Sequence, residues 1–95
     1  MGSYKLSQEA KADLKRIYQR GVRDHGEIQA DKYYDAFYNR FEEIAEQPFK
    51  YQNVEDIRQG YRRSPCGVDS IYYRVNGDDI EIMSIIGRQD VEEWL

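Results

Sequence analysis

The chain has 95 residues, a formal charge of −4, 40% hydrophobic, 34% charged and 14% aromatic residues, and a single cysteine. That length allows one domain with a modest core, and the mixed composition excludes a disordered or low-complexity chain. The acidic balance excludes broad nucleic-acid binding, which draws affinity from a basic surface. The lone Cys66 excludes an internal disulfide, and with no long apolar run to suggest a signal peptide or membrane span the default is a soluble cytoplasmic protein.

Met1-Gly2-Ser3 reads as a partial cloning remnant and is left out of the fold. Tyr4-Lys5-Leu6 predicts a short first strand, and Ser7 then offers its hydroxyl as the N-cap of a helix. Ala10, Leu14, Ile17, Tyr18 and Gly21 recur at helical spacing, with Lys11, Lys15, Gln19 and Arg20 on the basic outer side. Gly21 reads either as a site of close backbone approach or as early fraying. Asp24-His25-Gly26 stops this helix, and Glu27 opens a second with a negative charge at its positive end. The short link predicts an antiparallel helix hairpin.

In the second helix Ala30, Tyr33, Tyr34, Phe37, Tyr38, Phe41, Ile44 and Ala45 cover an arc of about 140°, with Tyr33 and Tyr38 at its margins, and Pro48 follows. Asp31, Asp35, Glu42, Glu43 and Glu46 form a solvated opposite face. Positions 47–53 read as a loop and 54–59 as a turn. Tyr61 to Ser64 predicts a strand, and Ser70 to Val75 with Ile80 to Ile86 predict a hairpin about Asn76-Gly77-Asp78-Asp79. Ile80, Ile82, Ser84 and Ile86 alternate with Glu81, Met83 and Ile85, as a central strand covered on one face and partly on the other would. The fold class is α+β: an N-terminal antiparallel helix hairpin on a small twisted, mainly antiparallel sheet.

The usual catalytic groups have little support. The chain has one His, one Cys, no Gly-rich phosphate loop and no paired metal ligands. His25 beside Gly26 reads as a helix-terminal residue, and Cys66 after Pro65 as a small residue in a turn. Arginines are the outstanding feature: Arg62, Arg63, Arg74 and Arg88 fall at strand ends. Arg62 and Arg63 point to opposite faces. They read either as a charged, solubilising rim or as a docking site for acidic residues or phosphate. Nine tyrosines are more than so small an interior holds, so some of Tyr33, Tyr38, Tyr72 and Tyr73 are expected at an interface.

In chain order, Tyr4 to Ser7 with Ala10 to Leu14, Gly26 to Ala30, Asp56 to Tyr61 with Arg62-Arg63-Ser64-Pro65, Ile71-Tyr72-Tyr73-Arg74 and Ile86-Gly87-Arg88-Gln89-Asp90 resemble the ParE family of bacterial toxins. The resemblance spans nearly the whole chain, read as a single domain over 1–95, and rests on order and spacing rather than on one motif. It implies the helix-hairpin-on-sheet fold shared with RelE-type nucleases. RelE members cleave messenger RNA on the ribosome with basic residues and a late tyrosine, whereas ParE members poison DNA gyrase without being enzymes. No tyrosine follows Arg88 here, and Asp69 and Ser70 stand where a RelE-like strand carries a basic residue. Ile86, by contrast, replaces the histidine that many ParE sequences place before Gly-Arg.

The resemblance therefore implies a non-enzymatic gyrase toxin of a type II toxin-antitoxin system. The alternatives are a ribosome-dependent endoribonuclease or a non-toxic antitoxin-binding homologue. It implies a ParD-like antitoxin, a two-to-two complex, no cofactor or metal, no membrane, and no nucleic acid except through antitoxin or gyrase. Arg62, Arg63, Arg88, Asp90, Trp94 and Leu95 are the expected gyrase-contact residues. Tyr18, Val22, Tyr33, Phe37 and Tyr38 are expected to line a helix groove for an apolar antitoxin segment.

Overall fold

The structure, a computed structural model, describes residues 2–87. Its elements run β1 (Ser3–Leu6), α1 (Gln8–His25), α2 (Glu27–Glu46), β2 (Gln52–Asn53), β3 (Tyr61–Cys66), β4 (Asp69–Asn76) and β5 (Asp79–Gly87). The five strands form one sheet in the order β1-β5-β4-β3-β2. All neighbours are antiparallel except β1, which lies parallel to β5. The α+β architecture is the expected one, with the sheet mixed at one edge.

Local chemistry sets the boundaries. The Ser7 hydroxyl accepts from the Ala10 amide and caps α1. Gly26 alone separates the helices: its N–H donates to the Val22 carbonyl, and its own carbonyl accepts from Ala30. The hairpin this creates is tight. A Cβ on Gly21 would stand 3.2 Å from the Ala30 Cβ, so Gly21 is a site of close approach between helices rather than of fraying.

The strands depart from expectation in several places. Strand β1 begins at Ser3, inside the residues set aside as a remnant. The predicted loop before residue 54 contains β2, two residues paired with Arg62 and Arg63. Strand β3 runs two residues past Ser64, so Cys66 lies buried at a strand end rather than in a turn. The β4–β5 turn has Gly77 and Asp78 at its centre, because Asn76 pairs with Asp79.

The simple alternation along β5 is also broken. Tyr72 pairs with Ser84 but Tyr73 with Ile82, which leaves Met83 as a bulge. The extra residue reverses the parity of the strand. Ile80, Ile82 and Ile85 therefore all join the helix-side core, together with Leu14, Ile17, Phe37, Phe41, Ile44, Ile71 and Tyr73. Ile86 turns to the far face, where it packs with Val54 and Tyr72, flanked by Ile57 and Tyr61. This second small core, roofed by the turn after β2, corrects the tyrosine expectation. Tyr72 and Tyr73 are both fully buried, one in each core.

Tyr73 lies under the helices with its hydroxyl donating to the Pro48 carbonyl at 2.7 Å, and burial pushes its pKa up to about 12. In the unfolded chain the phenol titrates near 10. Its neutral form therefore contributes stability that is complete below pH ~10 and lost as pH rises through about 12. Urea midpoints measured across this alkaline range should fall, and should fall less steeply in Tyr73→Phe. Identical slopes would show that Tyr73 does not carry the effect.

Candidate functional site

The helix hairpin presents two depressions. One, of about 440 Å³, lies between α1 and α2 and is lined by Lys11, Leu14, Lys15 and Tyr18 from α1 and by Asp31, Tyr34 and Tyr38 from α2. Its aromatic wall is continuous. Tyr18 meets Tyr34 edge-on at 5.6 Å, Tyr34 lies 5.2 Å from Tyr38, and Tyr38 abuts Phe41 at 5.3 Å. The Tyr18 hydroxyl donates to Asp31 at 2.6 Å, which raises its pKa to about 12. Contact with the Tyr34 hydroxyl, aided by burial, raises Tyr38 to about 12. Both tyrosines are therefore neutral hydrogen-bonding groups at physiological pH.

The second depression, of about 230 Å³, lies at the Gly21/Ala30 crossing, where Ile17 and Tyr33 meet Val68 from the β3–β4 turn. Behind it sits a polar network that the sequence reading did not find. Asp69, with a fully buried side chain, accepts from Arg20 Nη2 at 2.7 Å. The Tyr33 hydroxyl lies 2.9 Å from Asp69 Oδ2 and 2.8 Å from the Cys66 carbonyl, sharing its proton between them. Burial, reinforced by the carboxylate, raises the Tyr33 pKa. Asp69 Oδ1 has no hydrogen-bond partner among the described residues. The Asp69 backbone also pairs with Gly87 in the ladder, so α1 and α2, through the carboxylate, and the end of β5, through the backbone, are joined at one residue. Gly67 makes room for Tyr33: at φ +63, a Cβ there would fall 2.4 Å from the ring.

The residues expected to line one groove therefore separate. Tyr18 and Tyr38 share the inter-helix groove, and Tyr34, Lys11 and Lys15 join them unforeseen. Tyr33 belongs to the second depression. Val22, 38% exposed, lines neither. Phe37 is fully buried against Tyr33 and Phe41, so it supports the helix face from beneath instead of offering surface. Arg20, expected on the solvated side of α1, is turned inward to Asp69.

The arginines separate too. Arg62 pairs across the ladder with Tyr73 and Arg63 with Tyr72, which places them on opposite faces as expected. Arg62 donates to the Tyr51 carbonyl at 2.8 Å, and its guanidinium lies 5.0 Å from the Phe49 ring. Arg63 donates to the Ser70 hydroxyl at 3.2 Å. The two do not converge on one point. Arg88, Asp90, Trp94 and Leu95 lie outside the described residues. Among the described residues no three His, Cys, Asp or Glu side chains gather as a metal site requires, and no helix is long and apolar enough to cross a membrane.

A helix hairpin on a mixed five-stranded sheet, with an aromatic-walled groove of about 440 Å³ between its helices, defines a small α+β domain. Residues 4–92 match the model for the ParE toxin of the type II toxin-antitoxin system parDE. This chain belongs to that family and is a ParE-type toxin. It is 38% identical over 86 residues to Toxin ParE1 of Caulobacter vibrioides, covering 90% of this chain and 88% of the relative. It is 30% identical over 94 residues to Toxin ParE1 of Mycobacterium tuberculosis, covering 97% and 96%. Among solved structures it is similar to a chain of the chromosomal ParDE system from P. aeruginosa, with a TM-score of 0.80, 25% identity, and coverage of 92% and 96%.

The Arg20–Asp69 pair yields a direct test. Among the described residues, Arg20→Ala would leave the buried carboxylate with the Tyr33 hydroxyl alone, at an expected cost of about 2–3 kcal/mol. That is less than for a fully buried pair, because the Arg20 side chain is 32% exposed and partly screened. Urea denaturation of Arg20→Ala that matched the parent chain would contradict this role.

Proposed function

We propose that this chain acts as a single toxin domain that poisons DNA gyrase by stabilising its complex with cleaved DNA. A ParD-like antitoxin neutralises it in a two-to-two heterotetramer in the cytoplasm. The antitoxin's C-terminal segment lies along the toxin, and its N-terminal part dimerises and binds DNA. The observation that carries the antitoxin reading is the groove walled by Tyr18, Tyr34 and Tyr38. It combines apolar area, neutral hydroxyls and two lysines one helical turn apart, and so suits an amphipathic segment with acidic flanks. The relatives named as ParE1 toxins and the solved ParDE system support the same partner.

The poison reading is favoured over nuclease action by the two β3 arginines. Phosphodiester cleavage needs several polar groups aimed at one reacting phosphate. Arg62 and Arg63 instead lie on opposite faces of the sheet, each already engaged by its own neighbours. No cofactor or metal enters this account.

Induction in a bacterial host separates the readings. A gyrase poison triggers DNA-damage signalling while transcripts stay intact, and co-expressed antitoxin silences it. Rapidly cleaved transcripts would establish the endoribonuclease instead, and harmless strong expression a toxin that has lost activity. For the groove, Tyr38→Ala should weaken antitoxin binding by roughly 10–30-fold in a calorimetric titration, as loss of an aromatic anchor does. Unchanged affinity would remove the groove from the interface.

A further inference from the structure

The loop between α2 and β2 carries a feature that neither helix depression absorbs. Phe49 is 67% exposed, yet the loop that carries it is firmly tied. The Tyr73 hydroxyl donates to the Pro48 carbonyl at 2.7 Å, Lys50 N–H to Gln47, and Arg62 to the Tyr51 carbonyl at 2.8 Å. The Tyr51 hydroxyl donates to Glu43 at 3.0 Å. Two cations stand at this corner, with Arg62 5.0 Å from the Phe49 ring centre and the Lys50 ammonium 5.6 Å from that of Tyr51. Neither forms an ion pair among the described residues, whereas the neighbouring Arg40 is matched by Glu43 at 3.1 Å.

A lone exposed apolar residue on a mobile loop carries no message. Here a large ring is held in place beside Arg62 and next in the chain to Lys50, a combination of aromatic anchor and arginine that concentrates binding energy at protein interfaces. Because the loop is already ordered, docking costs little conformational entropy. We propose that Phe49, Lys50 and Arg62 form the anchor by which this toxin grips its protein target, seating Phe49 in an apolar pocket rimmed by carboxylates. The inference rests on the toxin assignment and deepens the role given to Arg62, but it does not require gyrase to be the target. A protein surface is favoured over nucleic acid because two cations without an ion pair among the described residues, on a chain of charge −4, fall far short of the phosphate neutralisation that nucleic-acid affinity needs.

The test is the toxicity of Phe49→Ala and of Lys50→Glu in a bacterial host, with antitoxin affinity of each purified chain measured in parallel as a check of fold and groove. Both variants should need at least about ten-fold more inducer for half-maximal growth inhibition while binding antitoxin as the parent does. Retained toxicity in both, or a parent chain that does not inhibit growth, would overturn the proposal. So would tight binding of a labelled single-stranded or duplex DNA oligonucleotide by the parent that Phe49→Ala abolishes, since that would make the corner a nucleic-acid site. Failure of the gyrase reading alone leaves a different signature: growth inhibition that these substitutions weaken, without DNA damage.

Discussion

Strand β5 must have both edges satisfied along its whole length, and the rest of the molecule is arranged around that requirement. Strand β4 covers one edge. On the other, β1 pairs only as far as Ile82, and an unpaired ladder edge in the interior would cost free energy at every group left without a partner. Helix α1 and its N-cap Ser7 supply the missing partners. Ser7 N–H donates to the Ile82 carbonyl, and the Ser7 hydroxyl to the Met83 carbonyl at 2.8 Å. The Ile85 N–H donates to Asp13 at 2.9 Å, while the Ile85 carbonyl accepts from Arg16 at 3.1 Å. The N-cap residue and two side chains of the helix thus continue the ladder where β1 stops, and α1 is fixed in register with β5.

Once α1 is fixed, the hairpin follows. The single residue between the helices and the close Gly21/Ala30 crossing leave α2 little freedom, and Arg20, Tyr33 and Asp69 tie both helices to the beginning of β4. The aromatic groove therefore lies between two braced walls. A braced groove loses little entropy when an extended or helical segment enters it, which suits a toxin that a partner must hold tightly. The same bracing fixes Phe49: its loop is tied to Tyr73, whose ring lies in the main core, and to Arg62 on β3. The proposed antitoxin groove and the proposed target anchor thus occupy separate parts of one framework, so substitutions at one need not disturb the other.

Much of this was legible in the sequence, because helices and hairpins are written in short-range signals. The Ser7 cap, the Gly26 stop, the apolar stripes and the Asn76 to Asp79 turn all report local chemistry. What escaped depends on residues distant in the chain. The bulge at Met83 is set by the partner strand, so the alternation of isoleucines put Ile85 on the wrong face. The second core needs the turn after β2 folded over the sheet, so Tyr72 looked like surplus aromatic surface. Asp69 drew notice only as the absence of a basic residue. An acid heading an apolar strand, with Arg20 at the margin of a helix stripe, was the available hint of a buried pair. Phe37 shows the reverse error: helical spacing put it with Tyr33 and Tyr38, but the middle of a stripe is where burial is most complete.

The most direct trial of the account is a DNA-cleavage assay with purified gyrase, supercoiled plasmid and this chain, run with and without the antitoxin. The account predicts that cleaved plasmid accumulates with toxin concentration, is released only on denaturing the gyrase, and disappears when antitoxin is added in equal amount. Plasmid that stays supercoiled and uncut at toxin concentrations well above that of gyrase would contradict the gyrase assignment, leaving a ParE-fold toxin with another target.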